Sequence, residues 1–235
     1  MKVVIISHKY RFIFVKTQKT AGTSIETFLS QYCDAGDILT PFGKPVDTHL
    51  PRNYEGYFNP IPEIILTRGK GRKKILRQAL QREKFHSHIP AWKIRSRIRS
   101  KIWNSYFKFC VERNPWDKTL SHYYFVKQKE KYNYILYLDE YLTEGHSCLN
   151  YHLYTDYHNS NVVIVDRIVK YESLMQQLGE VFGMLGIPFK NSLNVRAKAD
   201  YREDRRHYKD VLTEAQRKTI DDIYRKELFL HDYEY

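Results

Sequence analysis

Lys19, Thr20, Thr23 and Ser24 crowd around Gly22 in the string Lys19-Thr20-Ala21-Gly22-Thr23-Ser24, which sets one cation beside three hydroxyls. That combination suits anion binding, and a phosphate or sulfate is the expected occupant. A second set follows in Arg113, Asp117 and Ser121. Arginine presents a planar fork matched to phosphate, and serine adds a hydroxyl donor. On a helix opening after Asn114, Ser121 stands roughly 10 Å along the axis from its start, a span that an arginine and a bound phosphate can bridge. Asp117 and Ser121 then share one helix face.

Each set requires a particular junction to hold it. Residues 12–15 form a short apolar, β-prone run, residues 18–23 a small-residue turn, and Ile25, Phe28 and Leu29 recur at helical spacing. Strand, tight loop and helix in that order aim the first helical amides and the positive dipole end at the loop. Thr23-x-x-Glu26 alone also fits a capping box opening an ordinary structural helix. At the second junction, residues 106–111 read as a strand, Asn114 as a cap and Pro115 as the first helical position, with the helix running to about residue 129.

The rest of the chain supplies the frame. Residues 3–6 and 11–15 read as strands joined by a turn at 7–10, and residues 24–32 as a helix. Residues 34–62, rich in Gly, Pro, Asp and Asn, read as a long irregular excursion that builds the acceptor side. Ile75, Leu76, Ala79 and Leu80 mark one amphipathic helix, and Ala91, Ile94, Ile98 and Ile102 another entered through Pro90. Residues 134–143 are expected as helix, 162–165 and 167–171 as strands, and 172–185 as a helix stopped by Gly186 and Pro188. Residues 194–208 form a charged loop, and Thr213-x-x-Gln216 caps a last helix to about residue 228. Strands alternating with helices predict an α/β fold, a mostly parallel central sheet flanked by helices. With 235 residues and no Pro/Gly/Ser-rich linker, residues 1–235 read as a single domain.

An apolar fraction of 42% with 20 Tyr argues for a folded globule and against disorder. The aliphatic runs fall far short of the roughly 20 residues that span a bilayer, and Met1 leads almost directly into a strand, so a cytoplasmic protein is expected. Cys33, Cys110 and Cys148 are odd in number and widely spaced, as suits reduced thiols, and neither a zinc site nor a disulfide framework is expected. The net charge of +12 is concentrated: residues 68–101 hold 13 Lys/Arg against Glu83 alone, and outside them basic and acidic residues balance. Solvated helix faces, an anionic substrate, an acidic membrane surface and nucleic acid would each account for such a segment.

The first string is not GxxxxGK[ST], because Lys19 precedes Gly22, which disfavours an ordinary P-loop kinase. Lys-Thr-Ala-Gly-Thr-Ser after a strand instead resembles the 5′-phosphosulfate loop of sulfotransferases that use 3′-phosphoadenosine 5′-phosphosulfate (PAPS), with Gln18 where many members have proline. Val111-Glu112-Arg113-Asn114-Pro115-Trp116-Asp117 through Ser121-His122-Tyr123-Tyr124 resembles the 3′-phosphate motif of the same family, with Glu112 the less usual residue. Tyr171-Glu172-Ser173-Leu174 and the closing stretch 208–233 are similar to later segments of the bacterial and carbohydrate-type branch.

The resemblance implies the P-loop-like nucleotide-binding fold of sulfotransferases and in-line transfer of a sulfuryl group from PAPS to an acceptor hydroxyl of a carbohydrate or glycolipid. It implies Lys19 at the bridging oxygen, Thr20, Ala21, Gly22, Thr23 and Ser24 around the 5′-phosphate, Arg113 and Ser121 at the 3′-phosphate, and no metal. Arg202, in a loop that also carries Arg196, Lys198, Arg205 and Arg206, is a candidate to close over the nucleotide. The base is expected to be histidine. Thr48-His49-Leu50-Pro51 matches the family's THLP string but lies 64 residues before Arg113, whereas His88 lies 25 before it, a spacing like the family's. His88 is therefore the first choice, His49 the second and His86 the third, with a carboxylate as the alternative. Two other readings stay open: a nucleic-acid-binding module using 68–101 with Trp92 and Trp103 for stacking, and an atypical nucleotide kinase. Under the sulfotransferase reading no nucleic-acid partner is expected, and any membrane contact is peripheral.

Overall fold

A computed structural model describes residues 4–41, 49–129, 137–194 and 202–235. At its centre is a five-stranded sheet of β1 (Ile5–Ser7), β2 (Phe12–Phe14), β3 (Ile38–Leu39), β4 (Phe107–Glu112) and β5 (Arg167–Lys170), in the order β3-β1-β2-β4-β5. β4 runs parallel to both neighbours, with Phe14 opposite Phe109 and Glu112 opposite Lys170. β1 is antiparallel to β2 and to β3. The sheet is thus mixed, which corrects the expectation of a mostly parallel one. The turn between Ser7 and Phe12 is too short for a crossover and can only reverse the chain. Asp37 holds that turn, its carboxylate accepting from Ser7 Oγ at 3.0 Å and from the His8 amide at 2.5 Å.

Alternation along the strands feeds two cores. Ile5, Phe12, Phe14, Phe109 and Val111 face one way and pack under α1 (Gly22–Ser30) and α9 (Leu174–Leu185). Ile6, Ile13 and Cys110 face the other and pack with Phe85, Ile94 and Trp103. Both faces are covered, so the strands read as continuous apolar runs. A third cluster joins α6 (Pro115–Lys127) to α7 (Leu138–Thr143) and α11 (Glu214–Ile223) through Trp116, Tyr141, Ile220 and Tyr224.

Several elements differ from the sequence expectation. Residues 162–165 do not form a strand; Val163 makes a single bridge to Thr155. The helix expected from Ala91 is broken at Ile98 and Arg99 into α4 (Ala91–Arg97) and α5 (Ser100–Ser105). The irregular excursion contains β3 and, at its end, the start of a helix, α2 (Ile61–Leu66), followed by α3 (Lys70–Leu80). The last helix divides at Tyr224 into α11 and α12 (Arg225–His231), and Thr213 and Gln216 form the expected capping box. Two more short helices, α8 (Tyr151–Tyr154) and α10 (Tyr208–Val211), and a 3₁₀ turn at Tyr171–Ser173 between β5 and α9 complete the described elements. Of the helix expected at 134–143, residues 134–136 lie outside the described residues and α7 covers the rest from Leu138.

Candidate active site

Because β2, β4 and β5 are parallel, their C-terminal ends meet at one edge of the sheet, the customary place for a ligand crevice in open α/β sheets. The loop to α1 leaves β2 there, Arg113 and Asn114 leave β4, and Tyr171 and Glu172 leave β5. The loop, Arg113 and Tyr171 line a cleft of about 1040 Å³. Lys19, Thr20, Ala21, Gly22, Thr23, Ser24, Arg113, Ser121, Arg202 and His88 all line it. His49 and His86 do not.

The first loop is tight. Lys19 and Ala21 adopt left-handed backbone, with φ of 61° and 58°, a strained conformation for residues bearing a side chain. Ala21 rather than Thr23 precedes the helix, and its carbonyl accepts from the Ile25 amide at 3.1 Å. The capping-box alternative therefore fails. Glu26 does not reach back to Thr23 but accepts from Lys16 Nζ at 2.6 Å, wholly buried. Lys16 crosses directly over Gly22, where a Cβ would stand 2.9 Å from Lys16 Cγ and Cε. Any larger residue there would force the Lys16 side chain to shift. The Lys19 ammonium lies over the Phe125 ring at 4.5 Å.

Arg113 bridges the two motifs. Its Nη1 donates to the Lys19 carbonyl at 3.2 Å, and its Nε and Nη2 donate to Asp117 Oδ2 at 2.8 and 2.5 Å. Arg202 Nη1 takes the other Asp117 oxygen. Burial alone would raise the Asp117 carboxyl, but the two arginines override it and hold it below the ordinary carboxylate range. Asp117 is thus an internal anion held by two arginines of the cleft. Tyr171 lies under the Arg113 guanidinium at 4.2 Å. Glu172 accepts from the Asn114 amide and side chain at 2.7 and 2.8 Å, while Asn114 caps α6 by accepting from the Asp117 amide. The late Tyr-Glu segment therefore holds the second junction in place. Arg196 and Lys198 lie outside the described residues, Arg205 is exposed, and Arg206 is exposed and pairs with Asp204 at 2.6 Å.

Glu112, unusual beside an anion site, points away from it. Its carboxylate is buried against Lys118 Nζ at 2.8 Å, and Lys118 also pairs with Glu227 of α12. Asn150 donates to Glu112 at 3.2 Å and clasps Gln18 on both sides: its Nδ2 donates to the Gln18 carbonyl at 3.1 Å, and its Oδ1 accepts from the Gln18 amide at 2.9 Å. This internal network thus anchors the entry to the first loop, where Gln18 stands.

The histidines separate by place. His88 has left-handed backbone and its Nδ1 donates to the Lys16 carbonyl at 3.0 Å. A carbonyl only accepts, so in the neutral ring the proton sits on Nδ1 and Nε2 is the basic nitrogen. His49 is buried against the Thr40 carbonyl at 2.9 Å and does not line the cleft, and burial lowers its pKa; Thr48 lies outside the described residues. His86 is buried, its Nδ1 against the Ser87 carbonyl. A cleft histidine that the sequence reading passed over is His122, held by Tyr141 OH at 2.7 Å. Burial and the nearby Lys19 and Lys129 lower it to about 4, so it is neutral at pH 7. Helical spacing gave a signal for it and Phe125, which flank Ser121 on α6. Asn150 had none, being 132 residues from Gln18.

A family model described as the sulfotransferase family matches residues 2–234. The chain belongs to that family, whose members are transferases of sulfuryl groups. An uncharacterized protein of Archaeoglobus fulgidus is 36% identical over 114 residues, covering 48% of this chain and 94% of that protein. No solved structure matches. No helix among the described residues is long and apolar enough to cross a membrane.

Proposed function

We propose that this chain, as one domain over residues 1–235, transfers the sulfuryl group of PAPS to a hydroxyl of a saccharide or glycolipid. The observation that carries the reading is the meeting of both motifs in one cleft, with Arg113 bonded to the Lys19 carbonyl. One nucleotide can then touch both. The fit at the far end is supported by Asp117, a carboxylate already seated between Arg113 and Arg202 where a phosphate would be received. PAPS supplies an activated sulfuryl group and a nucleotide leaving group.

In this reading the first-turn amides of α1, which have no intrahelical partner, and the Thr23 and Ser24 hydroxyls hold the 5′-phosphate. Arg113, Ser121 and Arg202 take the 3′-phosphate, which distinguishes the donor from ATP. Lys19 neutralises charge building on the bridging oxygen. His88 Nε2 takes the acceptor proton. The acceptor oxygen forms a bond to sulfur as the bond from sulfur to the bridging oxygen breaks, leaving a sulfate ester, adenosine 3′,5′-bisphosphate and a proton on His88. Positioning and charge supply most of the rate, by analogy with phosphoryl transfer. The acceptor class rests on likeness to the carbohydrate-type branch.

The nucleic-acid alternative loses its stacking residues: Trp103 is buried and Trp92 packs on Tyr157 with centroids 4.8 Å apart. The test is transfer of labelled sulfate from PAPS to a panel of glycans, glycolipids and phenols, with calorimetric binding of adenosine 3′,5′-bisphosphate against 5′-AMP. Transfer to a glycan or glycolipid and a clear preference for the bisphosphate are expected. Equal affinity for the two nucleotides, or transfer to phenols alone, would overturn the donor or the acceptor assignment respectively.

A further inference from the structure

The helices α2 and α3, which pack against each other ahead of the His86 to His88 strap, turn an unusual surface outward. Ile61 and Ile65, one helical turn apart on α2, are 60% and 69% exposed. On α3, Leu76 and Leu80, likewise one turn apart, are 48% and 85% exposed. Apolar side chains on a helix are ordinarily those that face the core, and here the inward positions are taken by Glu63, Ile75 and Gln78. Lys73 and Arg77 are exposed on α3 at the same i, i+3, i+4, i+7 spacing as the two leucines, so cations and aliphatics share one outward stripe.

The charge is one-sided. Between residues 56 and 82 the acidic side chain is Glu63, and it is turned inward to Arg97, at 2.5 and 2.7 Å, and to Lys93, at 3.3 Å. A polyanion such as nucleic acid would pair with the cations but leave the four aliphatics without a counterpart. A bilayer surface containing anionic lipid satisfies both, with aliphatics entering the boundary of headgroups and acyl chains and Lys and Arg remaining at the phosphates. α3 is about 16 Å long, so it can lie flat in that plane.

We propose that α2 and α3 form a docking surface for an anionic membrane, with Ile61, Ile65, Leu76 and Leu80 entering the interface and Lys73 and Arg77 engaging the lipid phosphates. The surface adjoins the strap that carries Ser87 and His88 into the cleft, so docking holds the cleft close to the bilayer. The proposal does not depend on the transfer reaction.

The test is co-sedimentation of the full chain with vesicles of phosphatidylcholine alone and of phosphatidylcholine with phosphatidylglycerol. Binding to the anionic vesicles only is expected, and it should fall with added salt. The variants Leu76→Glu/Leu80→Glu and Lys73→Glu/Arg77→Glu should each lower the partition coefficient at least tenfold, since each Lys or Arg near an anionic surface contributes about fivefold. All four positions are exposed, so an unchanged thermal midpoint checks the fold. No binding to anionic vesicles, or equal binding to neutral ones, overturns the proposal. Loss in the charge variant with full binding in the leucine variant also overturns it, because the surface would then be a site for soluble polyanions.

Discussion

Replacing Lys118 with methionine tests whether the buried network behind the cleft holds the molecule together. Lys118 has no solvent exposure and stands between two equally buried carboxylates, Glu112 at 2.8 Å and Glu227. Methionine keeps most of the volume but leaves both acids facing each other without a cation. Removing one partner from a buried ionic cluster costs about 3–5 kcal/mol. At roughly 2–4 °C per kcal/mol for a domain of this size, the unfolding midpoint should drop by roughly 6–20 °C. Thermal unfolding followed by circular dichroism at pH 7.5 measures it. The triple variant Lys118→Met/Glu112→Gln/Glu227→Gln should recover most of the loss, because it strands no charge. A midpoint for Lys118→Met within about 2 °C of the parent would refute the account, since even the low end of that cost predicts more. The same cluster gives a pH signature. Burial, then repulsion from Glu112, raises the Glu227 carboxyl from 4.5 to about 7 despite Lys118. An acid whose folded pKa is raised favours folding while protonated. Its contribution is full below about pH 4.5 and is lost as pH rises through about 7. Glu227→Gln should flatten that part of the stability profile.

Three further outcomes concern the cleft. Lys19→Ala should lower sulfuryl transfer by at least about 10²-fold while leaving the unfolding midpoint near the parent's, because the ammonium rests on Phe125 and not in the core; single-turnover kinetics measures it, and retained turnover would remove lysine from the reaction. Arg113→Ala should weaken adenosine 3′,5′-bisphosphate by about 10²-fold and 5′-AMP far less, as expected for losing charge-assisted bonds to one phosphate; calorimetry with both nucleotides decides it. His88→Ala should remove turnover and keep nucleotide affinity, whereas His49→Ala should lower stability and spare turnover, because His49 is buried against Thr40; the reverse pattern would exchange their roles.

Local chemistry made both junctions legible. The change from strand to helical period around Gly22, and the Asn-Pro start after a β-prone run, are short-range signals that need no knowledge of the rest of the chain. The antiparallel pairing of β1 with β2 was legible in the short turn at 7–10, which can only reverse the chain, and the expectation of a mostly parallel sheet passed over it; the neighbours of the other strands were not legible, because the period of an apolar run says nothing about its partner. β3 escaped notice because two residues among prolines and glycines carry no alternation. Residues 162–165 misled for the opposite reason, being β-prone residues that make one bridge. At the site, Glu112 looked misplaced only because Lys118, six positions on, and Glu227, in the last helix, could not be seen to neutralise it. Contacts like Asn150 to Gln18 depend on tertiary structure alone.

The carboxylate of Asp117 means that the arginine end of the cleft is never electrically bare. In the proposed reading an anion arriving there would exchange places with a resident one, and its net gain would be the difference between two sets of bonds to Arg113 and Arg202. A lone carboxylate would offer nothing better than what it displaced. In the proposed reading a doubly charged phosphate would, and so the side chain that steadies Arg113 and Arg202 would also screen visitors by valence.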